Sequence, residues 1–331
     1  MSFSRIRATE YHLPEQVLTN EALETIFPEL PAAKVFAKTG IAQRHIAADG
    51  ETAADLAEKA ALKLFASGVC TPSDIDAVIL CTQSPDYILP TSACLLQSRL
   101  GLRTNVAAFD FNLGCSGFVY GLGLAKGLIE SGQVRHVLLL TADTYSKHIH
   151  PKDRSVRTLF GDAAAATLIS ADDSLTGPAI GPFIYGTDGQ GADHLIVREG
   201  GARHAAGDVS DDAPGARNLC MNGPEIFNFT LNVVPGTVKE LCELAGTSLE
   251  AVDLFVFHQA NAYMLGHLRD SIGIPTEKFV ISMKNVGNTV SATIPIALRD
   301  AADAGQLKPG MKVMLVGFGV GLSWAGTMVR W

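Results

Sequence analysis

Three side chains, far apart in this sequence, are of the types that thioester chemistry uses: Cys115, His258 and Asn288. Cys115 lies in Phe109-Asp-Phe-Asn-Leu-Gly-Cys115-Ser-Gly-Phe and opens a small-residue segment with helical spacing (Gly117, Gly121, Ala125, Leu128). A thiol at a helix N-terminus faces unpaired backbone N–H groups and the positive end of the helix dipole, and both favour the thiolate. Gly114 and Gly117 permit a sharp entry and close approach of a substrate. Such a cysteine is placed to attack a thioester and hold its acyl group covalently. Taken alone, it reads more readily as a buried, inert thiol. His258 is the polar break after an apolar run in Val256-Phe-His258-Gln-Ala-Asn261. Asn288 sits in a Gly/Asn turn, Asn285-Val-Gly-Asn288-Thr-Val-Ser-Ala, that leads into a helix. Each has a plain reading by itself, as a hydrogen-bonded core histidine or an N-cap. Together with Cys115 they make a nucleophile with two donors.

The elements that would position them repeat. Residues 76–83 (Asp-Ala-Val-Ile-Leu-Cys-Thr-Gln) and 253–260 (Asp-Leu-Phe-Val-Phe-His-Gln-Ala) are both apolar runs opening with Asp, as buried parallel strands are, at an offset of 177. Val137–Thr141 matches Val313–Gly317 at an offset of 176, each after an Ala/Leu-rich helical pattern stopped by Gly132 or Gly305. Cys115 lies 17 residues before Gly132, and Asn288 lies 17 before Gly305. This register puts Cys115 and Asn288 at equivalent helix starts, with His258 opposite Cys81. The expectation is a duplicated α/β architecture with all three groups at strand exits, where ligands collect in parallel sheets. The halves are read as residues 1–175, carrying the nucleophile, and 176–331, carrying His258 and Asn288. A general likeness among βα units remains the alternative. Gly200–Arg217, rich in Gly, Ala and Asp, is expected to be an exposed loop.

Composition narrows the class. Of 331 residues, 47% are apolar and 18% charged, which excludes disorder and supplies a large core. The net charge of −8 argues against a nucleic-acid binder. No uninterrupted apolar stretch suits a signal peptide or a membrane span. The six cysteines contain no Cys-x-x-Cys pair, and His148-x-His150 alone is weak grounds for a metal, so a reduced, cytoplasmic protein without a metal is expected.

With these residues in view, the chain resembles the 3-oxoacyl-(acyl-carrier-protein) synthase III family of the thiolase-like superfamily over nearly its whole length. The resemblance is carried by Tyr11-His-Leu-Pro-Glu-Gln-Val-Leu-Thr-Asn20, Thr39-Gly-Ile41 with Arg44-His-Ile46, Phe160-Gly-Asp162 and Met221-Asn-Gly-Pro-Glu225. It continues through His258-Gln-Ala-Asn261, Gly287-Asn-Thr289 and Trp324 to Trp331. It implies an αβαβα layered fold from two duplicated halves and a homodimer. It implies that Cys115 takes an acyl group from acyl-CoA, and that His258 and Asn288 bind the thioester carbonyl of malonyl-acyl carrier protein and assist decarboxylation. The CoA thioester is then substrate, and no cofactor is implied. His Nε2–H and the Asn amide would stabilise the enolate oxygen without a metal. The backbone N–H groups of Cys115 and, in Gly317-Phe-Gly-Val-Gly321, of Val320 would form the oxyanion hole, although most relatives have glycine at Val320.

The chain departs from the family pattern around the site. CoA binding is assigned to Arg154, Lys34 and Asn261, with Lys34 where a stacking Trp is usual. The carrier-protein surface is atypical: Asn228, Tyr263, Asp270 and Ser271 stand at usually basic positions, only Arg269 remains, and Lys278 and Lys284 are candidate replacements. Leu89, reaching in from the partner subunit, is expected to gate the acyl pocket where Phe is common, so that a longer or branched starter fits. The competing readings are a specialised condensing enzyme or acyltransferase of secondary metabolism and, further off, a chalcone-synthase-like polyketide synthase. Thiolases would need a second catalytic Cys in the C-terminal glycine motif, and 3-hydroxy-3-methylglutaryl-CoA synthases a Glu upstream of Cys115. An inactive partner subunit would typically lack Cys or His.

Overall fold

The structure, a computed structural model, describes residues 2–204 and 214–331. Two sheets dominate it. One has five strands in the order β1 (Phe3–His12), β7 (Ala163–Asp172), β6 (His136–Asp143), β4 (Ala77–Cys81), β5 (Ala107–Phe111). The other has four, β11 (Leu254–Phe257), β12 (Lys312–Gly319), β13 (Ser323–Arg330), β8 (Ile180–Thr187). Two small ribbons, β2 (Gln16–Thr19) with β3 (Gln43–Ile46) and β9 (Leu195–Ile196) with β10 (Cys220–Met221), lie outside the sheets. In each sheet one pair from the repeated segments is parallel, Ala77–Cys81 on Val137–Thr141 and Leu254–Phe257 on Val313–Val316, and an antiparallel strand follows.

The strands are apolar on both faces because both faces are covered. Helices α5 (Gly117–Glu130) and α9 (Thr293–Asp303) fill the space between the sheets, packing Phe118, Leu122, Ile294 and Leu298 against Ile79, Leu139, Val256 and Leu315. On the outer face of the first sheet, α3 (Ala53–Ala66) and α4 (Ser92–Arg99) pack on Val78, Leu80, Leu138 and Leu140. On the outer face of the second, α7 (Gly223–Leu244) and α8 (Ala262–Ile272) pack on Phe255, Phe257, Met314 and Val316. The result is five layers, αβαβα. Alternate residues of β12 serve two cores, Val313 and Leu315 facing the centre and Met314, Val316 and Phe318 the outer helices.

The short helices α1 (Asn20–Ile26), α2 (Ala32–Thr39) and α6 (Arg154–Arg157) border the site. The Thr39-Gly-Ile41 and Arg44-His-Ile46 motifs have structural causes here. Gly40 ends α2 in the left-handed region at φ 71°, with its α-carbon face so near α8 that an added Cβ would lie 2.4 Å from the Ala262 Cβ. Arg44 is fully buried and ties three segments together, donating to Leu18 O, Asn20 Oδ1 and Thr158 O.

The helix starts differ from the sequence expectation. α5 begins at Gly117, two residues beyond Cys115, whereas Asn288 is followed by a 3-10 turn at Val290–Ala292 before α9 begins at Thr293. Of the expected loop Gly200–Arg217, residues 205–213 lie outside the described residues, and the flanking positions are mostly exposed. No helix among the described residues is long and apolar enough to cross a membrane. All six cysteines are free; Cys94 and Cys220 are exposed rather than packed in the core.

Candidate active site

Cys115 sits between the end of β5 and the start of α5, with β12 running directly over it. A Cβ on Gly319 would lie 2.7 Å from the Cys115 Cβ and 2.8 Å from Sγ, and one on Gly317 would lie 2.7 Å from the Cys115 carbonyl oxygen. Only glycine admits this approach, which is why the strand reads Gly-Phe-Gly. The β12–β13 turn is pinned to the same helix end. Ser116 Oγ lies 2.7 Å from Ser323 Oγ, and Ser323 donates to Val320 O at 2.8 Å. The backbone N–H groups of Val320 and of Cys115 itself both point at the Cys115 sulfur.

The helix end does not make the free thiol acidic. Cys115 is buried, and burial together with the nearby Asp143 carboxyl pushes its pKa up to about 12, against the two N–H groups that lower it. The expected thiolate is therefore corrected: the thiol carries its proton, and a base must take it as the sulfur attacks.

His258 follows β11, its own N–H bonded to Val316 O at 2.8 Å. Its ring lies edge-on to Phe318, centroids 5.5 Å apart, which brings it to the strand that covers Cys115. Burial lowers its pKa to about 3, so the imidazole is neutral. Thr293 Oγ1 lies 2.7 Å from Nδ1 and donates to Val290 O at 3.0 Å. Both bonds form together when Nδ1 carries the ring proton, leaving a lone pair on Nε2. Turning the Thr293 hydroxyl toward Nδ1 favours the other tautomer, with the proton on Nε2.

Asn288 is held by a parallel bridge to Phe160, with its N–H on Leu159 O and its C=O accepting from Gly161. Its Oδ1 accepts from Val290 N at 3.0 Å, which leaves the Nδ2 amide for a ligand. Gly287, at φ 74°, and Gly161 make the approach possible; a Cβ on Gly161 would lie 2.5 Å from Val286 O. Val290 joins the three groups. Its N–H holds Asn288, its C=O faces His258 and Thr293, and its Cγ1 lies 3.2 Å from where a Cβ on Gly114 would stand. It does this with φ at 55°, rare for a β-branched residue.

Asp143 was not singled out in the sequence, where it reads as the polar end of an apolar run. It is fully buried, accepts from Gln83 N at 2.8 Å and from Ser291, and burial raises its pKa to about 7. Tyr145, Gln83, Val290 and Thr293 also escaped notice, although Gln83 closes the 76–83 run and Val290 lies within the Gly/Asn turn of Asn288. A cavity of about 840 Å³ lies beside this centre, with Gln83, Asn112, Tyr145, Leu195, Leu219 and Val320 among its wall residues.

Arg154 opens α6, Lys34 lies on α2 and Asn261 caps α8, all at exposed or half-buried positions. Arg154 at the start of α6 pairs with Glu29, just before α2, at 2.9 Å. Lys34 is exposed on α2, which meets the start of α8 at Gly40. Asn261 Oδ1 caps α8 by accepting from Met264 N at 2.8 Å. Leu89 is 80% exposed and Ile88 93%, a bare apolar loop tip beside the partly exposed Tyr87. Arg269 is paired with its neighbour Asp270 at 2.7 Å, so the one remaining charge of the expected docking helix is offset. Lys278 donates to Glu250 O and Val252 O, while Lys284 is exposed. His148 faces Ser84 Oγ at 3.4 Å and His150 accepts from Lys152 N. Among the described residues no group of three or more acidic, His or Cys side chains is placed to hold a metal.

A thiolase-like fold with Cys, His and Asn converging at the strand ends defines an acyltransferase of the condensing kind. Residues 109–189 match the family model described as 3-oxoacyl-[acyl-carrier-protein (ACP)] synthase III, and residues 242–331 match its C-terminal counterpart. A beta-ketoacyl-[acyl-carrier-protein] synthase III 3 of Streptomyces coelicolor is 39% identical, covering 96% of this chain and 94% of its own. A crystal structure of a 3-oxoacyl-(acyl-carrier-protein) synthase III superposes with a TM-score of 0.97 at 53% identity, covering 99% of this chain and 100% of that one. The 3-oxoacyl-(acyl-carrier protein) synthase of Burkholderia xenovorans LB400 gives 0.90 at 36% identity, covering 99% and 93%. The chain belongs to the 3-oxoacyl-(acyl-carrier-protein) synthase III family.

Proposed function

We propose that the chain condenses an acyl-CoA starter with malonyl-acyl carrier protein by decarboxylative Claisen chemistry through acyl-Cys115, and so initiates fatty-acid chains. The observation that carries this is the convergence on the Cys115 sulfur of two backbone N–H groups, under a strand that only glycines allow so close. In the first half-reaction the sulfur attacks the thioester carbonyl, and the N–H groups of Cys115 and Val320 hold the oxyanion. The Nε2 lone pair of His258 takes the thiol proton and returns it to the departing CoA sulfur. In the second, the malonyl carboxylate leaves as CO2 and the electron pair moves into an enolate. Asn288 Nδ2 and His258, now in its Nε2–H tautomer, donate to that enolate's oxygen. The enolate carbon then bonds to the acyl carbon, and the Cys115 sulfur leaves and regains a proton. The reaction needs no redox group; the CoA thioester is substrate, not cofactor.

Arg154 and Asn261 are assigned to CoA, with Lys34 an exposed, solvated charge that adds little to its binding. The bare Tyr87-Ile88-Leu89 tip suits a homodimer in which Leu89 of each subunit closes the other's acyl pocket. The two sheets, one built up to Asp172 and the other from Ile180, suit the division at residue 175. With Arg269 offset by Asp270, the carrier protein meets little positive charge on α8. Lys284 is the candidate replacement, and a cytoplasmic setting follows from the CoA-linked substrates. The cavity of about 840 Å³ favours a second reading, a specialised condensing enzyme with a longer or unusual starter.

Intact-protein mass spectrometry after incubation with acyl-CoAs from acetyl to decanoyl, plus isobutyryl and benzoyl, tests both. A gain from acetyl that Cys115→Ala abolishes supports the housekeeping initiator. A gain only from longer or unusual groups supports the second reading, and no Cys115-dependent gain refutes the acyl-CoA route.

A further inference from the structure

The cavity beside Cys115 is lined for something other than plain hydrocarbon. Cys115 is not itself on the wall, but two wall residues reach its immediate neighbourhood. Val320, whose N–H points at Sγ, is on its wall, and Gln83 Oε1 lies 2.6 Å from where a Cβ on Gly114 would stand, one residue before the nucleophile. Leu195 and Leu219 supply apolar wall, so the space has the mixed lining of an orienting ligand site.

Three polar side chains on this wall are linked in series. The Tyr145 hydroxyl donates to Gln83 Oε1, and Gln83 Nε2 donates to Asn112 Oδ1 at 2.9 Å. Tyr145 is almost fully buried and its ring is fixed against Phe160, centroids 5.2 Å apart. After these bonds, Gln83 Nε2 keeps one N–H, Asn112 Nδ2 keeps two, and the Tyr145 oxygen keeps its lone pairs. A saturated acyl chain threading past them displaces their water and offers nothing in return, which disfavours it. A group with an oxygen at that depth accepts those N–H bonds.

We propose that the acyl group loaded on Cys115 bears an oxygen close to its thioester end, as a 3-oxoacyl or 3-hydroxyacyl group does, and that Gln83, Asn112 and Tyr145 bind that oxygen. The inference rests on the acyl-Cys115 reading above and names its substrate class. The loading step balances without a further reagent: a new bond joins Sγ to the acyl carbon, the bond to the CoA sulfur breaks, and the thiol proton leaves with CoA. A keto oxygen takes the amide N–H groups; a hydroxyl also donates to the Tyr145 oxygen.

The test compares wild-type loading rates, by intact mass, for octanoyl-, 3-hydroxyoctanoyl- and 3-oxooctanoyl-CoA at equal concentration, with acetyl-CoA alongside. At least one oxygenated ester is expected to load about tenfold or more faster than octanoyl. Gln83→Leu and Tyr145→Phe are each expected to bring that ratio below about threefold. Octanoyl loading as fast as both oxygenated esters overturns the inference while leaving acyl-Cys115 intact. A preference unchanged in both variants overturns the assignment to these side chains. No Cys115-dependent gain from any of the four esters overturns the proposed function and this inference with it. The wild-type ratio decides the substrate class even if the variants fail to fold.

Discussion

The buried centre of this site and its exposed rim are held by different forces. At the centre, Cys115, His258, Asn288 and Thr293 are almost wholly buried, and each polar group is fixed by backbone or by a neighbour itself fixed by backbone. At the rim, Arg154 and Arg269 rest on surface ion pairs with Glu29 and Asp270, and Lys34 stands exposed. Exposed pairs contribute about 0–1 kcal/mol each, whereas an unpaired buried polar group costs about 1–3 kcal/mol. The centre is therefore costly to alter and the rim cheap. The departures Lys34, Tyr263, Asp270 and Ser271 fall on the cheap part, whereas Val320 departs at the centre, where the backbone N–H that the site uses survives the change.

Substitutions at the centre should break the contrast most. Cys115→Ala is expected to abolish loading and condensation, read by intact mass and by product formation. Asn288→Ala should lower the condensation rate by roughly 100- to 1,000-fold, as loss of a preorganised donor does, and lower loading far less. Equal losses in both steps would move Asn288 from the enolate to the first half-reaction. Gly319→Ala places a methyl 2.7 Å from the Cys115 Cβ. It should cost about 1–3 kcal/mol in chemical denaturation and slow thiol alkylation.

Asp143 sharpens the contrast through pH. Its carboxyl holds a proton up to about 7 in the folded protein, against 3.8 as its ordinary value. Between these pH values the folded chain binds more protons than the unfolded one, so stability falls as pH rises through the window, by roughly 4 kcal/mol at most. Asp162, also raised by burial, adds in the same direction. Asp143→Asn should flatten much of that slope in denaturation curves taken from pH 4 to 7. Because Asp143 also pushes the thiol up, the variant should shift the pH profile of Cys115 alkylation to lower pH. At the rim, Lys34→Ala should change the KM for acyl-CoA by no more than about twofold, and Lys34→Trp should lower it, since a ring can stack where an ammonium cannot. A large rise in KM for Lys34→Ala would show that this lysine binds CoA directly.

The proposed trio of Cys115, His258 and Asn288 stood out in the sequence because each residue is chemically distinctive and sits at a break, after an apolar run for His258 and in Gly-containing turns for the other two. The duplicated α/β plan followed from strands buried on both faces, which leave continuous apolar segments, whereas the αβαβα layering came from the family resemblance. The helix starts were misplaced because equal spacings of 17 residues conceal different turns: α5 begins almost at Cys115, while Asn288 precedes a 3-10 turn. The thiolate expectation weighed a helix end visible in sequence against burial that is not. Gln83, Tyr145, Asp143 and Thr293 were passed over because their roles arise across sequence separations of 29 to 148 residues, as in Gln83 on Asn112 and Ser291 on Asp143. No local pattern marks such pairs.

Val290 carries a consequence for how variants of this protein combine. One residue, held in a strained backbone state, braces the asparagine through its N–H, faces the histidine through its C=O, and touches the turn before the cysteine through its side chain. A shift at any of these three points is transmitted to the other two. Mutational effects around it are therefore epistatic: the double-mutant cycle of Val290→Gly with Thr293→Val should show a coupling energy of about 0.5–3 kcal/mol. Cycles pairing either with Lys34→Ala should come out additive. Sequence change can then accumulate residue by residue on the outside of this pocket, but at its centre only in concert.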